Sequence, residues 1–195
     1  MTNNIYEQKS IQGLIFTFGI PSILSLIIEM LTGVVDTAFA GNLANIGADA
    51  LSAMALISPI LGIFIALQTL FAMSTGVLIS GSLNDKTRQN HSYLTGVIMS
   101  GAMAISTSLL CGIFLPQILR ALGADGQVFA LAKQYMQIQL ISNVASSLGY
   151  TLTCCIRAFG FPKVELAIIS SSVLVNVAVL GTENWLNRSD SRHSP

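Results

Sequence analysis

Five polar residues, Ser22, Ser25, Glu29, Thr32 and Asp36, follow one another at spacings of 3, 4, 3 and 4 inside a run otherwise built mainly from Ile, Leu, Val, Met and Gly. At ~100° per residue they form one narrow stripe on a helix. Hydroxyls on such a stripe let helix backbones approach one another, and that is the reading for Ser22, Ser25 and Thr32. The two carboxylates differ in kind. A charged group in a hydrocarbon layer costs ~2.5 to 3.5 kcal/mol even on lenient scales, so such groups face a bundle interior or a wet cavity and mark cation or proton pathways. Glu29 and Asp36 are seven residues apart, which places them ~20° apart in azimuth and ~10 Å apart along the axis. Asp36 sits toward the outer end of its run, where an interfacial, structural role is the plain alternative.

Two further stretches carry polar faces. Tyr135, Gln139, Ser142, Ser146, Gly149 and Thr153 run at spacings of 4, 3, 4, 3 and 4, and Glu165, Ser172 and Asn176 share a face at spacings of 7 and 4. Three polar-faced helices predict a bundle around a hydrated cavity, with Glu29, Thr32, Tyr135 and Gln139 as its lining; interhelical bonding is the alternative for each amide and hydroxyl. Gly62 with Ala66, and Gly96 with Ser100, have the four-residue spacing of close helix contacts. Pro59 falls inside a long apolar run and predicts a kink, tolerated where a neighbour satisfies the freed carbonyl.

The elements that must position these residues follow from composition. Of 195 residues, 52% are hydrophobic and 9% charged, whereas about a quarter of a soluble domain is charged. Apolar segments long enough to cross a hydrocarbon core of ~30 Å lie near 14–40, 51–80, 93–115, 128–156 and 164–181. The separators are short and carry the breakers and charges. Backbone groups in lipid must be satisfied within the segment, so the fold class is all-α, a polytopic membrane bundle of five helices. Basic residues set its orientation. With the N-terminus inside, Lys9, Lys86, Arg88, Arg157 and Lys163 are cytoplasmic, and Arg120 and Lys133 lie on the other side. The N-terminal polar stretch reads as retained, because the apolar run after it is too long for a signal peptide.

Other function classes lack their residues. Nine basic residues balance nine acidic ones, which gives no reason to expect a nucleic-acid partner. Cys111, Cys154 and Cys155 lie in apolar runs without metal or redox spacing and read as packing residues. His91 and His193 lie in a loop and in the tail, and no HExxH, GxSxG or phosphate-loop pattern is present, so an enzyme is not expected. Nothing in the sequence asks for a cofactor.

The order "IPSILSLIIEMLTGVVDTAFAG", "DALSAMALISPI", "ALGAD" and "IRAFGFPK", followed by Asn176 in "SSSVLVNV", resembles the multidrug and toxic compound extrusion (MATE) transporters over about 20–177. The resemblance implies a cation-coupled antiporter with twelve helices in two lobes, exporting amphipathic, often cationic compounds in exchange for H+ or Na+. It implies a plasma (inner) membrane location with a cytoplasmic N-terminus. Carried over by position, Asp36 matches the first-helix carboxylate that binds or relays the coupling cation, and Asn176 matches the fifth-helix asparagine of that site. Na+ at Asp36 and Asn176 is thereby implied as the one metal candidate. Glu29 falls outside the family pattern.

The chain also departs from that pattern. Where the family has a second acid four residues after the asparagine, this sequence has Leu180, which removes charge and a ligand together. The segment 182–195 is polar and reads as a disordered tail, leaving 1–181 as part of an N-terminal lobe. These departures predict an interrupted, inactive fragment that needs a second lobe for activity. The alternatives are a half-transporter, a structural or regulatory membrane fragment, or a flippase of the same architecture, although flippase cavities tend to be cationic and the charges within the spans here are acidic.

Overall fold

The structure, a computed structural model, describes residues 11–42, 46–82 and 84–190, with only the backbone described for Ile11, Leu14, Thr17, Phe18 and 180–190. Lys9, Asn45 and His193 fall outside the described residues. Five helices follow one another: α1 (Ile11–Gly41), α2 (Gly47–Ser80), α3 (Lys86–Ala121), α4 (Gly126–Ala158) and α5 (Pro162–Asp190). Four, α1, α2, α3 and α5, are long and apolar enough to cross a membrane by length and composition. The fourth in order, α4, is of comparable length at 33 residues but lacks so apolar a stretch.

The helices overrun the apolar segments at most ends, because capping and polar first turns lie beyond the hydrocarbon. Asp85 caps α3 by accepting a hydrogen bond from the Arg88 backbone N–H at 3.1 Å. The last helix corrects one boundary: its backbone continues past Gly181 to Asp190, so the polar segment expected to be disordered begins as helix. A lone Gly costs a helix about 1 kcal/mol and does not stop it, and no proline occurs between Pro162 and Pro195.

The chain divides into two compact units. In the larger one, residues 43–161, α2, α3 and α4 pack pairwise on one another. Two apolar layers hold its ends. One gathers Ile57, Ile60 and Phe64 of α2, Leu115 and Leu119 of α3, and Ala132 and Met136 of α4; the other gathers Ile79, Cys155 and Ala158, with Tyr93 and Phe159 against them. Between the layers runs a polar seam. The Gln68 amide donates to Asn143 Oδ1 at 2.8 Å, and Asn143 Nδ2 donates to Ser108 Oγ at 2.9 Å and to the Ala104 carbonyl at 3.3 Å. One turn further, Ser100 Oγ lies 2.9 Å from Ser147 Oγ and 2.7 Å from Thr151 Oγ1. Part of the polarity of α4 is therefore spent where it meets its neighbours. A buried amide or hydroxyl is tolerated there because each finds a partner.

Small residues and prolines are used selectively. A Cβ placed on Gly96 would fall onto the Thr75 side chain, so α2 and α3 touch there through backbone. Ser100, one turn on, is fully buried. Gly62 and Ala66 are exposed, and a Cβ on Gly62 would meet nothing within 4 Å, so this pair does not form the contact its spacing predicts. Pro59 leaves the Ala55 carbonyl without its helical donor. The Ser58 hydroxyl donates to that carbonyl at 2.9 Å.

The two loops that carry the clearest sequence resemblance end helices in the same way. After α3, Gly123 N–H bonds the Arg120 carbonyl and Ala124 N–H the Leu119 carbonyl; after α4, Gly160 N–H bonds that of Arg157 and Phe161 N–H that of Ile156. Both are Schellman closures, with Gly123 at φ 87° and Gly160 at φ 96° in the left-handed region that favours glycine. Pro162 then opens α5, where a missing N–H costs nothing.

One substitution made at two glycines separates these environments. Gly96→Ala should destabilise the bundle by ~1 to 3 kcal/mol through overpacking against Thr75, whereas Gly62→Ala should be neutral or stabilising by up to ~1 kcal/mol through helix propensity. Denaturant titration of the purified variants measures both; equal effects at the two positions would contradict the packing described.

Candidate functional site

The smaller unit pairs α1 with α5. Along α1 the inward side runs through Pro21, Ser25, Ile28, Thr32, Val35 and Phe39, which are buried or half-buried at helical spacing. Along α5 it runs through Pro162, Glu165, Leu166, Ile169, Val173 and Asn176. The polar stripe of α1 is therefore divided. Ser25 and Thr32 lie at the centre of the packed face, and their hydroxyls are spent locally: Ser25 Oγ donates to the Pro21 carbonyl at 2.9 Å and Thr32 Oγ1 to that of Ile28 at 3.1 Å. Such back-bonding hides hydroxyls that would otherwise compete for a ligand. Glu29 is exposed, outside the packed face, and Asp36 is half-buried on its flank.

The predicted partner residue Asn176 belongs to the same unit. Its Oδ1 is buried and has no hydrogen-bond partner among the described residues. An unsatisfied buried acceptor costs ~1 to 3 kcal/mol, a cost that a structural asparagine in the seam of the larger unit avoids. Glu165 and Asn176 both turn inward, about three turns or ~17 Å apart along α5, whereas Ser172, at the edge of the same stripe, is exposed. Glu165 is buried in the first turn of α5, where the positive end of the helix dipole favours a carboxylate.

The donors that Asp36 and Asn176 offer are a carboxylate and an amide oxygen. That set suits a proton or a hard cation and not a soft metal. Among the described residues no three His, Cys, Asp or Glu side chains group as a metal site would require.

Tyr135 and Gln139 lie in the other unit. Tyr135 is exposed and Gln139 half-buried, and the rest of their stripe, Ser142, Ser146, Gly149 and Thr153, is half-buried or exposed. The packed face of α4 is a different one, running through Met136, Asn143, Ser147, Thr151 and Cys155. Sequence reading missed Gln68, Ser108, Asn143, Ser147 and Thr151 as bonded residues. The available signal was that these α4 polar residues continue a face of small and apolar ones, Ala132 and Met136 before them and Cys155 and Ala158 after, whereas the all-polar stripe lies on a face that α2 and α3 leave accessible.

Comparison with known proteins places this arrangement. The chain is 25% identical over 175 residues to the multidrug export protein MepA of Staphylococcus aureus, an alignment covering 88% of this chain and 38% of that protein. It is 26% identical over 180 residues to the multidrug export protein MepA of Staphylococcus haemolyticus, again covering 88% of this chain and 38% of the relative. The chain thus spans 38% of the length of these curated relatives. No solved structure matches it significantly. The MatE family model matches residues 21–180, from the first turns of α1 into the second half of α5, and the chain therefore belongs to the MatE family.

Proposed function

We propose that this chain supplies membrane helices of a cation-coupled multidrug efflux antiporter, in which Asp36 and Asn176 hold the coupling H+ or Na+ and amphipathic cationic compounds are the cargo. The observation that carries this reading is the buried Asn176 Oδ1, without a partner among the described residues, on the helix packed against the one bearing Asp36. A carboxylate in an apolar span persists when a cation or proton can neutralise it, and a group that is alternately loaded and emptied is what coupling requires. Tyr135 and Gln139, on the accessible face of α4, are assigned to the substrate cavity of the whole transporter, with the exposed Glu29 on α1. The family match and the export function of the relatives support the transport class; the coupling role rests on Asp36 and Asn176.

Orientation follows the charges. In the larger unit Lys86, Arg88 and Arg157 come to one end, because α2 and α4 finish where α3 begins. We place that end at the cytoplasmic face of the plasma membrane, with the N-terminus on the same side.

Coupling is tested in a full-length MatE transporter carrying residues 11–180 of this chain in place of its own matching segment. Asp36→Asn should lower cation-gradient-driven dye efflux by about 5- to 150-fold, the span of typical coupling energies, while insertion is retained. Ser25→Ala should leave efflux unchanged, since that hydroxyl serves the Pro21 carbonyl. Full cation dependence in the Asp36→Asn protein would make the residue interfacial structure. In proteoliposomes the 195-residue chain alone should give no gradient-driven efflux, because alternating access moves one repeat against another; efflux lost on Asp36→Asn would identify a working half-transporter.

Orientation is tested by cysteine labelling in intact cells with an impermeant reagent. A cysteine replacing Asn45 should react and one replacing Asn84 should not, with little background from the buried Cys111, Cys154 and Cys155. The opposite pattern inverts the topology.

A further inference from the structure

We propose that the basic end of the three-helix unit is a collar for anionic phospholipid headgroups, with one cation closing each of its three interhelical grooves. The proposal rests on the membrane-spanning reading above. It needs no transport activity.

The register between helices sets the levels. Tyr93 of α3 pairs with Phe159, their ring centroids 6.3 Å apart and inclined at 56°, and Ser100 meets Ser147 and Thr151. Residue 92 of α3 is thereby level with the end of α4, and the first turn and a half of α3 stands ~9 Å beyond it. Lys86 and Arg88 lie on this projecting piece, and Arg157 lies in the last turn of α4.

The contacts set the sides. On α3, Gly96 faces α2 at Thr75 and Ser100 faces α4. At ~100° per residue Lys86 falls on the α4 flank and Arg88 on the α2 flank, with the buried Gln89 between them. Lys86 Nζ donates to Gln89 Oε1 at 3.2 Å, which holds the ammonium against this end. On α4, the Cys154 backbone and Ala158 side chain approach Gly76 of α2, whereas Thr151 meets α3. Arg157 therefore falls on the α2 flank of α4, where its Nη2 reaches Cys154 Sγ at 3.5 Å. The grooves α3/α4, α2/α3 and α2/α4 thus end in Lys86, Arg88 and Arg157 in turn.

The charge is uneven between the two ends. Among the described residues of the three-helix unit Asp85 is the one carboxylate at this end, and it accepts from the Arg88 backbone N–H as the cap of α3. At the opposite end Arg120 and Lys133 are offset by Asp49 and Asp125. Below the collar the Tyr93–Phe159 pair sits at the depth where aromatic rings meet headgroups, and exposed Leu94, Ile98 and Leu152 make the outward faces of α3 and α4 apolar. A cation above an apolar wall fits a lipid phosphate. A free phosphate would use only the cation.

The test is native mass spectrometry of the purified full chain in detergent, titrated with phosphatidylglycerol or phosphatidylcholine. Phosphatidylglycerol should be retained preferentially. Each of Lys86→Gln, Arg88→Gln and Arg157→Gln should weaken that binding about fivefold, the equivalent of ~1 kcal/mol per basic residue near an anionic surface. The three losses should fall on different bound lipids, as separate grooves require. Arg120→Gln should leave the preference intact. Lys86 and Arg88 are exposed, so their variants decide the matter even where Arg157→Gln fails to fold. Equal retention of the two lipids, an equal loss on Arg120→Gln, or displacement of phosphatidylglycerol by the same concentration of inorganic phosphate would each overturn the collar. Loss of lipid preference with efflux intact, or the reverse, keeps this proposal separate from the transport reading.

Discussion

A hydrocarbon solvent offers no hydrogen bonds, and the satisfaction of every polar group by the protein itself is the constraint on which this structure depends. The backbone meets it by remaining helical. The side chains meet it in two ways. Hydroxyls of Ser25, Thr32, Thr37, Ser52, Thr75 and Ser106 return to carbonyls one turn back in their own helices. Those of Ser100, Ser108, Ser147 and Thr151, with the amides of Gln68 and Asn143, bond across helices. The first device makes a polar residue inert; the second makes it a fastener. Interhelical bonds of this kind average about 0.6 kcal/mol in membranes, so the seam fixes register and rotation more than it adds stability, while the apolar layers at its two ends fill volume.

The same constraint governs how much was legible in the sequence. Element type and order could be read, because a run of ~20 apolar residues in lipid has one backbone solution. Loop positions could be read as well, since Gly123 and Gly160 take a conformation that other residues avoid. Faces were harder. A polar stripe such as Tyr135 to Thr153 is conspicuous because nothing apolar interrupts it, and the absence of interruption is what leaves that face unpacked. The Asn143, Ser147 and Thr151 series is flanked on its face by Met136 and Cys155, so a periodicity reading assigns it to the apolar side. Gly62 and Gly96 both begin a four-residue pair of small residues. Only the identity of the facing residue, Thr75 for Gly96 and none for Gly62, tells them apart, and that information is not local to either helix. The end of α5 was missed because polarity was taken as a stop signal, although helices end for backbone reasons.

Within the candidate site the sequence singled out Asp36 and Asn176, and the structure adds the asymmetry between Asn176 and Asn143. Both are asparagines on inward faces. Asn143 donates to Ser108 and to a carbonyl and accepts from Gln68, so its bonding capacity is used in holding helices together. Asn176 keeps a buried oxygen without a donor among the described residues. Under a rule that satisfies polar groups at nearly every other point, an exception has to be offset by something the residue does. Glu29 is the converse case: a carboxylate on the exposed side of α1, near Asp36 in azimuth but outside the packed face, placed to meet whatever lies beyond this pair of helices.

The residues that identify the family and the residues assigned its chemistry are largely different sets. "ALGAD" and "IRAFGFPK" are specific because a Schellman closure needs glycine at one position, an apolar residue on either side of it to seal the turn, and here a proline or a short polar loop to launch the next helix. Leu119 with Ala124, and Ile156 with Phe161, occupy the paired sites of that seal. Such motifs report how the bundle turns corners. They carry no information about coupling. The residues proposed for coupling lie in apolar helices, where Asp36 shares α1 only with Glu29 as a carboxylate; that is a weak pattern but a large energy, and the physical cost of Asp36 is therefore a stronger guide to its proposed role than the pattern that surrounds it.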